Sequence, residues 1–224
     1  MPGWRWLQRR LNRHWSGDAY SLRRATGNSG AAATPVLGGG QSGGTIAYAL
    51  DPLARRLVAV IGRVYAAHTP AGSVDYTTAQ AAIGLRWQIT PGVGIAAERL
   101  VAVGVATSGD WNLRIAGGGQ RRRGGVTLNG YAKARVRGNG DAYAGGQAQA
   151  MAEIGLMRRL VVSAGPGAWA SIQHAQTTIG RLDLGAGVTM ATPIGVAISA
   201  DWRWRVAGNA APGSGPAITV SAAF

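Results

Sequence analysis

The residues best suited to chemistry in this sequence are arginines spaced two apart among apolar residues. In the segment VAISADWRWRV, Asp201, Arg203 and Arg205 alternate with Trp202 and Trp204. A guanidinium group carries several N–H donors in a planar fork that matches phosphate and carboxylate oxygens. The spacing therefore predicts a row of anion-binding side chains on one side of a single structural element.

The same spacing recurs along the chain and defines a larger set of polar candidates. The set consists of Arg86, Arg114, Lys133, Arg135, Arg137, Arg181, Asp183, Asp201, Arg203 and Arg205. Two interpretations stay open. In the first, the arginines line a wet lumen and favour anionic solutes, as rings of arginine do in pores. In the second, they pair with acids such as Asp183, Asp201 and Glu153 and fill a closed interior.

Three histidines, His14, His68 and His174, are the candidates for acid–base chemistry. A serine hydrolase needs a serine beside the histidine, for which Ser73 and Ser171 are candidates, and an acid that orients the ring. The sequence places no orienting acid and no nucleophile elbow beside them, so we predict that the protein is not an enzyme. Scattered histidines give no metal-ligand spacing, and no nucleotide-binding glycine motif is found. No metal and no cofactor are therefore expected.

The elements that position these side chains are β-strands, because successive side chains of a strand point to opposite faces. In the segment 77 to 89, Leu85 and Trp87 alternate with Gly84 and Arg86. Glycine, proline, asparagine and aspartate mark the turns between such segments. The predicted strands are 15 to 24, 45 to 50, 57 to 67, 77 to 89, 93 to 106, 111 to 117, 126 to 137, 142 to 154, 160 to 173, 177 to 190, 194 to 206 and 217 to 224.

The composition excludes several classes of protein. There are 36 glycines, one phenylalanine and no cysteine, which excludes a disulfide framework and argues against a helix bundle. The best apolar run, LVAVIG, is much shorter than the roughly 18 residues that a membrane-spanning helix needs. A formal net charge of +14 predicts an anionic partner.

The apolar face of the predicted strands consists mainly of alanine, valine, glycine and isoleucine. A soluble sandwich fills its core with larger side chains, whereas a lipid-facing surface needs no such volume. We therefore predict an all-β protein, an antiparallel transmembrane β-barrel of about twelve strands in the bacterial outer membrane. The barrel is expected over residues 15 to 224, after a basic irregular segment, 1 to 14. Outward aromatic residues are expected to form a girdle at the membrane interfaces: Trp87, Trp111, Trp202, Trp204 and Phe224.

An even number of strands places both ends of the barrel on the periplasmic side. The segments predicted as outer loops are then 25 to 44, 68 to 76, 138 to 141, 174 to 176 and 207 to 216. The segment GGGQRRRGG, residues 117 to 125, is predicted as a loop on the inner side. Its arginine run either binds phosphate or forms a solvated face.

Several segments resemble the C-terminal barrel domain of the bacteriophage adsorption protein A type, found in alphaproteobacteria such as sphingomonads. They are GGTIAYAL, AIGLRWQITPGVGIAAERLVAV, DWNLRIAGG, GYAKARV and DWRWRVAGNAAPGSGPAITVSAAF. The resemblance covers residues from about 15 to 224. Relatives in that group join a periplasmic helical-repeat region to a barrel that serves exopolysaccharide or cellulose export, or phage attachment. The resemblance therefore implies an upstream helical-repeat region or a partner.

These features predict an outer-membrane barrel whose arginine-rich lumen conducts anionic solutes or exopolysaccharide. The expected partners are outer-membrane lipid, lipopolysaccharide, and an anionic polysaccharide or solute. One alternative is an occluded barrel that serves as a structural anchor or phage receptor. A second is a soluble basic β-protein that binds nucleic acid. For the predicted barrel, nucleic acid is not an expected partner. A third is a barrel enzyme acting on lipid, which predicts that replacing His68 or His174 abolishes activity.

Overall fold

The computed structural model describes residues 14–24, 40–69, 72–157 and 160–224. Within these ranges the chain forms twelve β-strands and one short 3-10 helix, Tyr76–Thr78. The strands are β1 (Trp15–Arg24), β2 (Gly40–Ala49), β3 (Val58–Ala67), β4 (Gln80–Thr90), β5 (Val93–Ala102), β6 (Asp110–Arg123), β7 (Val126–Arg137), β8 (Ala142–Met157), β9 (Leu160–His174), β10 (Thr178–Ala191), β11 (Val196–Gly208) and β12 (Gly215–Ala223). None of these residues belongs to a helix long or apolar enough to cross a membrane. The predicted irregular segment 1–14 lies outside the described residues, apart from His14.

The strands form one closed barrel, which confirms the predicted all-β, twelve-strand architecture. Each strand pairs antiparallel with the next along the chain, and β1 pairs antiparallel with β12 to close the ring. Two backbone hydrogen bonds between Gly17 and Phe224, each 3.0 Å, extend this seam by one more pair. Closure leaves the sheet without a free edge strand, which is what a sheet surrounded by lipid requires.

The two ends of the barrel differ in the length of their connections. We call the end that carries Trp15 and Phe224 the terminal end, and the opposite end the far end. Connections at the terminal end include two tight turns, Pro91–Gly92 and Gly124–Gly125. Connections at the far end are longer on average and include 68–79 and 103–109. In bacterial barrels the short turns lie in the periplasm and the longer loops outside the cell.

The inner loop predicted at 117 to 125 is wrong, because β6 continues to Arg123 and pairs with β7 as far as Val126. Only Gly124 and Gly125 form the turn, with φ of +56° and +82°. Positive φ at both central residues is the geometry of the two-residue hairpin that fits the twist of paired strands. Glycine adopts it without a steric penalty, so the arginine run becomes part of a ribbon.

The outer loop predicted at 25 to 44 is also wrong over residues 40 to 44, which form the first half of β2. Residues 25–39 lie outside the described residues. The stretch GQSGG pairs with β1, with Ser42 opposite Ser21 and Gly43 opposite Tyr20. Backbone hydrogen bonds hold this stretch in the sheet. Because its side chains show no apolar alternation, the sequence pattern did not predict a strand here.

The outer wall of the barrel is apolar, as the alternation predicts. On β4, Ile83, Leu85 and Trp87 are exposed, whereas Gln80 and Ala82, which precede them on the inward face, are buried. The predicted girdle residues are all exposed at the outer wall: Trp87, Trp111, Trp202, Trp204 and Phe224. An exposed apolar band around a closed barrel is stable only in lipid. The chain is therefore an outer-membrane β-barrel, and the alternative of a soluble basic β-protein does not fit this exterior.

The inner wall is mixed rather than uniformly polar. A small apolar cluster of Ala47, Ala59, Ile61 and Ala96 lies inside the barrel toward the terminal end. Leu100 is also buried on the inside. The remaining inward positions of the neighbouring strands carry mostly charged, amide, hydroxyl or small side chains. Charged side chains border this cluster, because Arg86 and Arg114 are the register partners of Ala96 on the neighbouring strands.

Candidate functional site

The most basic part of the lumen is a row of three side chains on β7, which we call the basic ladder: Lys133, Arg135 and Arg137. Alternate residues of a strand share one face and lie about 6.5 to 7 Å apart, so the three cations follow one another toward the far end. Tyr143 on β8 lies beside them, with its ring centroid 5.5 Å from both Lys133 Nζ and Arg135 Cζ. The row therefore presents positive charge and an aromatic face together.

The basic ladder reaches strands that are not its neighbours at the far end. Arg137 donates from Nη2 to Gln80 Oε1 at 2.8 Å and to Tyr65 Oη at 3.3 Å. Arg135 donates from Nη1 to Tyr65 Oη at 3.5 Å, and the Tyr65 hydroxyl donates to Gln80. Because β4 and β3 are three and four strands from β7 around the ring, these hydrogen bonds span part of the lumen near its far mouth. A cavity of about 160 Å³ lies beside them.

A second link between distant strands centres on Asp183 of β10. Its carboxylate accepts from Arg181 Nε at 3.0 Å and Nη2 at 2.9 Å, and from Arg24 Nη1 at 2.9 Å. Arg24 belongs to β1, three strands away around the ring. Nearby, Arg203 stacks on Trp169 with its Cζ atom 4.2 Å from the ring centroid. A cavity of about 190 Å³ reaches from this cluster to Lys133.

Replacing Asp183 with asparagine is expected to loosen this link and widen the lumen. The amide keeps the shape of the side chain but removes the charge that two guanidinium groups share, at a cost of about 2 kcal/mol in unfolding free energy. Single-channel conductance of the refolded protein should rise. The matched control is Asp201→Asn, because Asp201 binds Arg203 of its own strand at 2.8 Å and bridges no gap. Equal conductance of the two variants would contradict the expectation.

A third cluster surrounds Glu98 of β5, a fully buried carboxylate. It accepts from Arg63 Nη2 at 2.7 Å, from Asn112 Nδ2 at 2.6 Å and from Arg114 Nη2 at 3.2 Å. The three donors come from strands on either side of β5. The carboxylate thus ties three strands of the wall together from the inside.

Positive charge exceeds negative charge inside the barrel. Within the described ranges, the predicted residues Arg86, Lys133, Arg135 and Arg137 have no carboxylate at salt-bridge distance. The remaining predicted cations that lie inside, Arg114, Arg181 and Arg203, are paired with acids, as are Asp183 and Asp201. The acids gather in clusters, whereas the basic ladder has none of them at salt-bridge distance; the conducting lumen and the closed interior both stay predictions.

Arg205 differs from the other predicted lumen residues. It is exposed at the far mouth, where its Nη1 donates to the carbonyl oxygen of Ala210 at 2.6 Å and its backbone N–H donates to Ser214 Oγ at 2.9 Å. Both partners lie in or next to the connection between β11 and β12. This arginine holds a loop at the mouth, and its anion-binding role stays a prediction.

Several lumen residues were not among the candidates from sequence. Arg24 and Arg63 each form a buried ion pair, and Tyr65, Asn112 and Trp169 contact the charged clusters. Their inward position follows from the alternation of their strands, which is visible in the sequence. Which acid each arginine reaches depends on the register of distant strands, and that register is not visible in the sequence.

The histidines and hydroxyls are not arranged as the sequence suggested. His68 Nε2 lies 2.7 Å from Ser42 Oγ, not beside Ser73 or Ser171, and His174 Nδ1 lies 2.8 Å from Thr178 Oγ1. Ser73 instead bonds Thr69. No cluster of three metal-ligating side chains occurs among the described residues.

Comparison with known proteins identifies no family for the chain. No protein-family model and no curated protein matches the chain. Among solved structures, LpxR from Salmonella typhimurium is 12% identical with a TM-score of 0.42, covering 93% of this chain and 99% of that one. The β domain of the Bordetella autotransporter BrkA is 11% identical with a TM-score of 0.45 over 94% and 98%. An outer membrane channel from Pseudomonas putida F1 is 9% identical with a TM-score of 0.45 over 94% and 95%. Likeness at this level says nothing about what the chain binds.

Proposed function

We propose that the barrel is a narrow, anion-selective pore of the outer membrane. The observation that carries the proposal is the basic ladder of Lys133, Arg135 and Arg137, which faces the lumen with no carboxylate partner among the described residues. Uncompensated cations attract anions and repel cations in a confined space, where screening by water is reduced. The proposed pore therefore selects by charge first and by width second.

The width favours small or extended anions. The two lumen cavities beside the charged clusters measure about 160 and 190 Å³, and links across the ring narrow the passage between them. An extended anionic polysaccharide fits such a passage better than a bulky solute, since each carboxylate or phosphate can meet one arginine in turn. The Tyr143 ring contacts both Lys133 and Arg135, so it helps to hold these cations in place beside the proposed path. Exopolysaccharide export, which the sequence resemblance implies, is the finer form of this proposal.

A closed barrel is the second candidate, and the links themselves favour it. Arg24 with Asp183, and Arg137 with Gln80, each join strands that are not neighbours in the ring. If these bonds persist in the membrane, the lumen is occluded and the protein serves as an anchor or a phage receptor. Its far-end loops would then carry the function.

Lipopolysaccharide is proposed as the lipid partner. Arg99 is exposed on the outer wall toward the far end of β5, with its Cζ atom 5.5 Å from the ring centroid of Trp111. An arginine on a lipid-facing surface is favoured at headgroup level, where it binds phosphate and its stem lies in the apolar region. The far end is proposed as the outer leaflet side because its loops are longer.

The test is single-channel recording on detergent-refolded protein in a planar bilayer, with the reversal potential measured across a salt gradient. If the pore is open, we expect steady openings. The reversal potential should have the sign that is produced when anions carry most of the current. An anionic oligosaccharide added on one side should block the current reversibly. Stable insertion without conductance would overturn the pore and support the closed barrel.

A further inference from the structure

Three polar side chains lie together on the outer wall near the far end, where the wall is otherwise apolar. Ser42 Oγ lies 2.7 Å from His68 Nε2 and 2.9 Å from Ser21 Oγ. Ser21 and Ser42 are a register pair of β1 and β2, and each alternates with inward residues such as Tyr20 and Gln41. His68 directly follows β3. Three neighbouring parts of the wall thus bring a histidine and two hydroxyls to one point.

His68 is fixed in place by the backbone around it. Its N–H donates to the carbonyl oxygen of Gly40 at 2.9 Å, and it forms an isolated β-bridge with Val74. The residue is only 9% exposed. A Cβ atom at position 40 would lie 3.1 Å from His68 Nδ1 and 2.4 Å from the Leu22 carbonyl oxygen, so this close packing depends on glycine. Such fixed geometry is what a general base requires.

The state of the ring suits a base as well. Partial burial, and then the nearby charge of Arg23, lower the pKa of His68 below its ordinary value, so the imidazole is neutral at neutral pH. The Ser42 hydroxyl donates to Ser21 Oγ in this structure, and rotation about its Cβ–Oγ bond turns the same proton toward His68 Nε2, which a neutral ring can then accept. Nδ1 is buried and has no hydrogen-bond partner among the described residues. An unpartnered buried nitrogen costs stability, which argues against a purely structural role.

Ser21 and Ser42 also line a groove on the outer wall with a volume of about 650 Å³. Its other walls include Val64, Val103 and Val220, which give it an apolar surface. In the membrane such a groove is filled by lipid acyl chains. Arg23, exposed on the outward face of β1 close to Ser21, places a cation where a lipid phosphate would lie. Ser42 therefore lies where the apolar and charged parts of one lipid meet.

We propose that Ser42 and His68 form a catalytic pair that hydrolyses an acyl ester of a phosphorylated lipid bound at this groove. Ser42 Oγ attacks the ester carbonyl carbon while His68 Nε2 takes the hydroxyl proton. The C–O bond to the alcohol then breaks, and the leaving oxygen receives that proton. Water, deprotonated by His68, attacks the acyl-Ser42 ester, releases the fatty acid and restores the serine. The Ser21 hydroxyl accepts from Ser42 Oγ at 2.9 Å, and we assign its own proton to the developing oxyanion once Ser42 has turned toward His68.

The first test is covalent labelling of the detergent-refolded protein with a fluorescent fluorophosphonate, followed by peptide mass spectrometry. Phosphonylation is expected at Ser42 and at no other residue. Ser42→Ala should lose the label completely. The labelling rate of His68→Ala should fall by a factor of about 100 or more, which is the contribution typical of a general base. Hydrolysis of a p-nitrophenyl acyl ester in mixed micelles should fall in parallel.

His174→Ala is the matched control, because His174 also bonds a hydroxyl at the far end, that of Thr178. Ser73→Ala controls for a hydroxyl in the loop that follows His68. Both variants should label and hydrolyse like the unaltered protein. His68→Gln, which keeps a polar side chain, and heat-dependent electrophoretic mobility distinguish lost chemistry from lost folding. Absence of label at Ser42 in folded protein, or equal labelling rates with and without His68, would overturn the proposal. Neither result depends on whether the lumen conducts.

Discussion

Replacing Arg135 and Arg137 together with glutamine is expected to remove most of the anion selectivity of the pore. A unit charge about 7 Å from a passing anion is worth about 2 kcal/mol at an effective dielectric constant of about 20, and about 0.6 kcal/mol in bulk water. Even the lower value, summed over the two arginines, changes the partition of an anion into the lumen by about tenfold, and the opposite effect on a cation enlarges the change in the permeability ratio. The reversal potential across a salt gradient should move toward zero.

The control for this experiment is Arg99→Gln, which removes the same charge from the outer wall. Arg99 contacts Trp111 and not the lumen, so its loss should leave selectivity unchanged. The double variant should also conduct more, because the hydrogen bonds of Arg137 to Gln80 and Tyr65 are lost. A reversal potential that does not move in Arg135→Gln/Arg137→Gln would show that the basic ladder does not face the ion path.

Replacing Glu98 with alanine is expected to cost about 3 to 5 kcal/mol of unfolding free energy, the largest effect on stability of any single lumen change. The carboxylate is fully buried and is the shared partner of Arg63, Arg114 and Asn112. Its removal leaves two guanidinium groups close together without the carboxylate that binds both, and Asp18 interacts with them only over a longer distance. Urea titration of the protein folded into lipid vesicles measures the change.

Glu153→Ala is the control for the stability measurement. Glu153 also binds an arginine, Arg122, at 2.7 and 3.0 Å, yet both side chains are 39% exposed. Exposed ion pairs contribute about 0 to 1 kcal/mol, so this variant should unfold close to the unaltered protein. Similar losses in both variants would mean that water penetrates the Glu98 cluster and screens it.

Much of the fold could be predicted from the sequence because alternation is a local property. The outward series on β4 and the inward series on β7 follow from residue types alone, and so do the strand number and the closed architecture. Gly40 to Gly44 escaped the prediction because they join the sheet through backbone hydrogen bonds, which no side-chain pattern reports. The arginine run on β6 escaped because a two-glycine turn is shorter than the loop that its charges suggested.

The contact partners of the site residues could not be predicted from the sequence for a different reason. Asp183 is separated from Arg24 by 159 positions, and Ser42 from His68 by 26, so these contacts arise only when the ring has closed in one register. Periodicity places each side chain inside or outside the barrel. It does not say which side chains from distant strands lie at the same height. The clusters, unlike the strands, are consequences of the whole sheet.

The seam between β1 and β12 has a consequence for the order of folding. These strands share seven paired positions, from Asp18 with Ala223 to Arg24 with Ala217, although nearly the whole barrel separates them in sequence. Each hairpin along the chain closes a short loop, whereas the seam closes one that spans all twelve strands, and contacts of high sequence separation form slowly. Seam closure is therefore expected to be the rate-limiting step. The species that accumulates before it is expected to be an open, curved sheet with two unpaired edges. In such a species the β1 edge and the β12 edge are templates for other chains, so seam closure competes directly with aggregation.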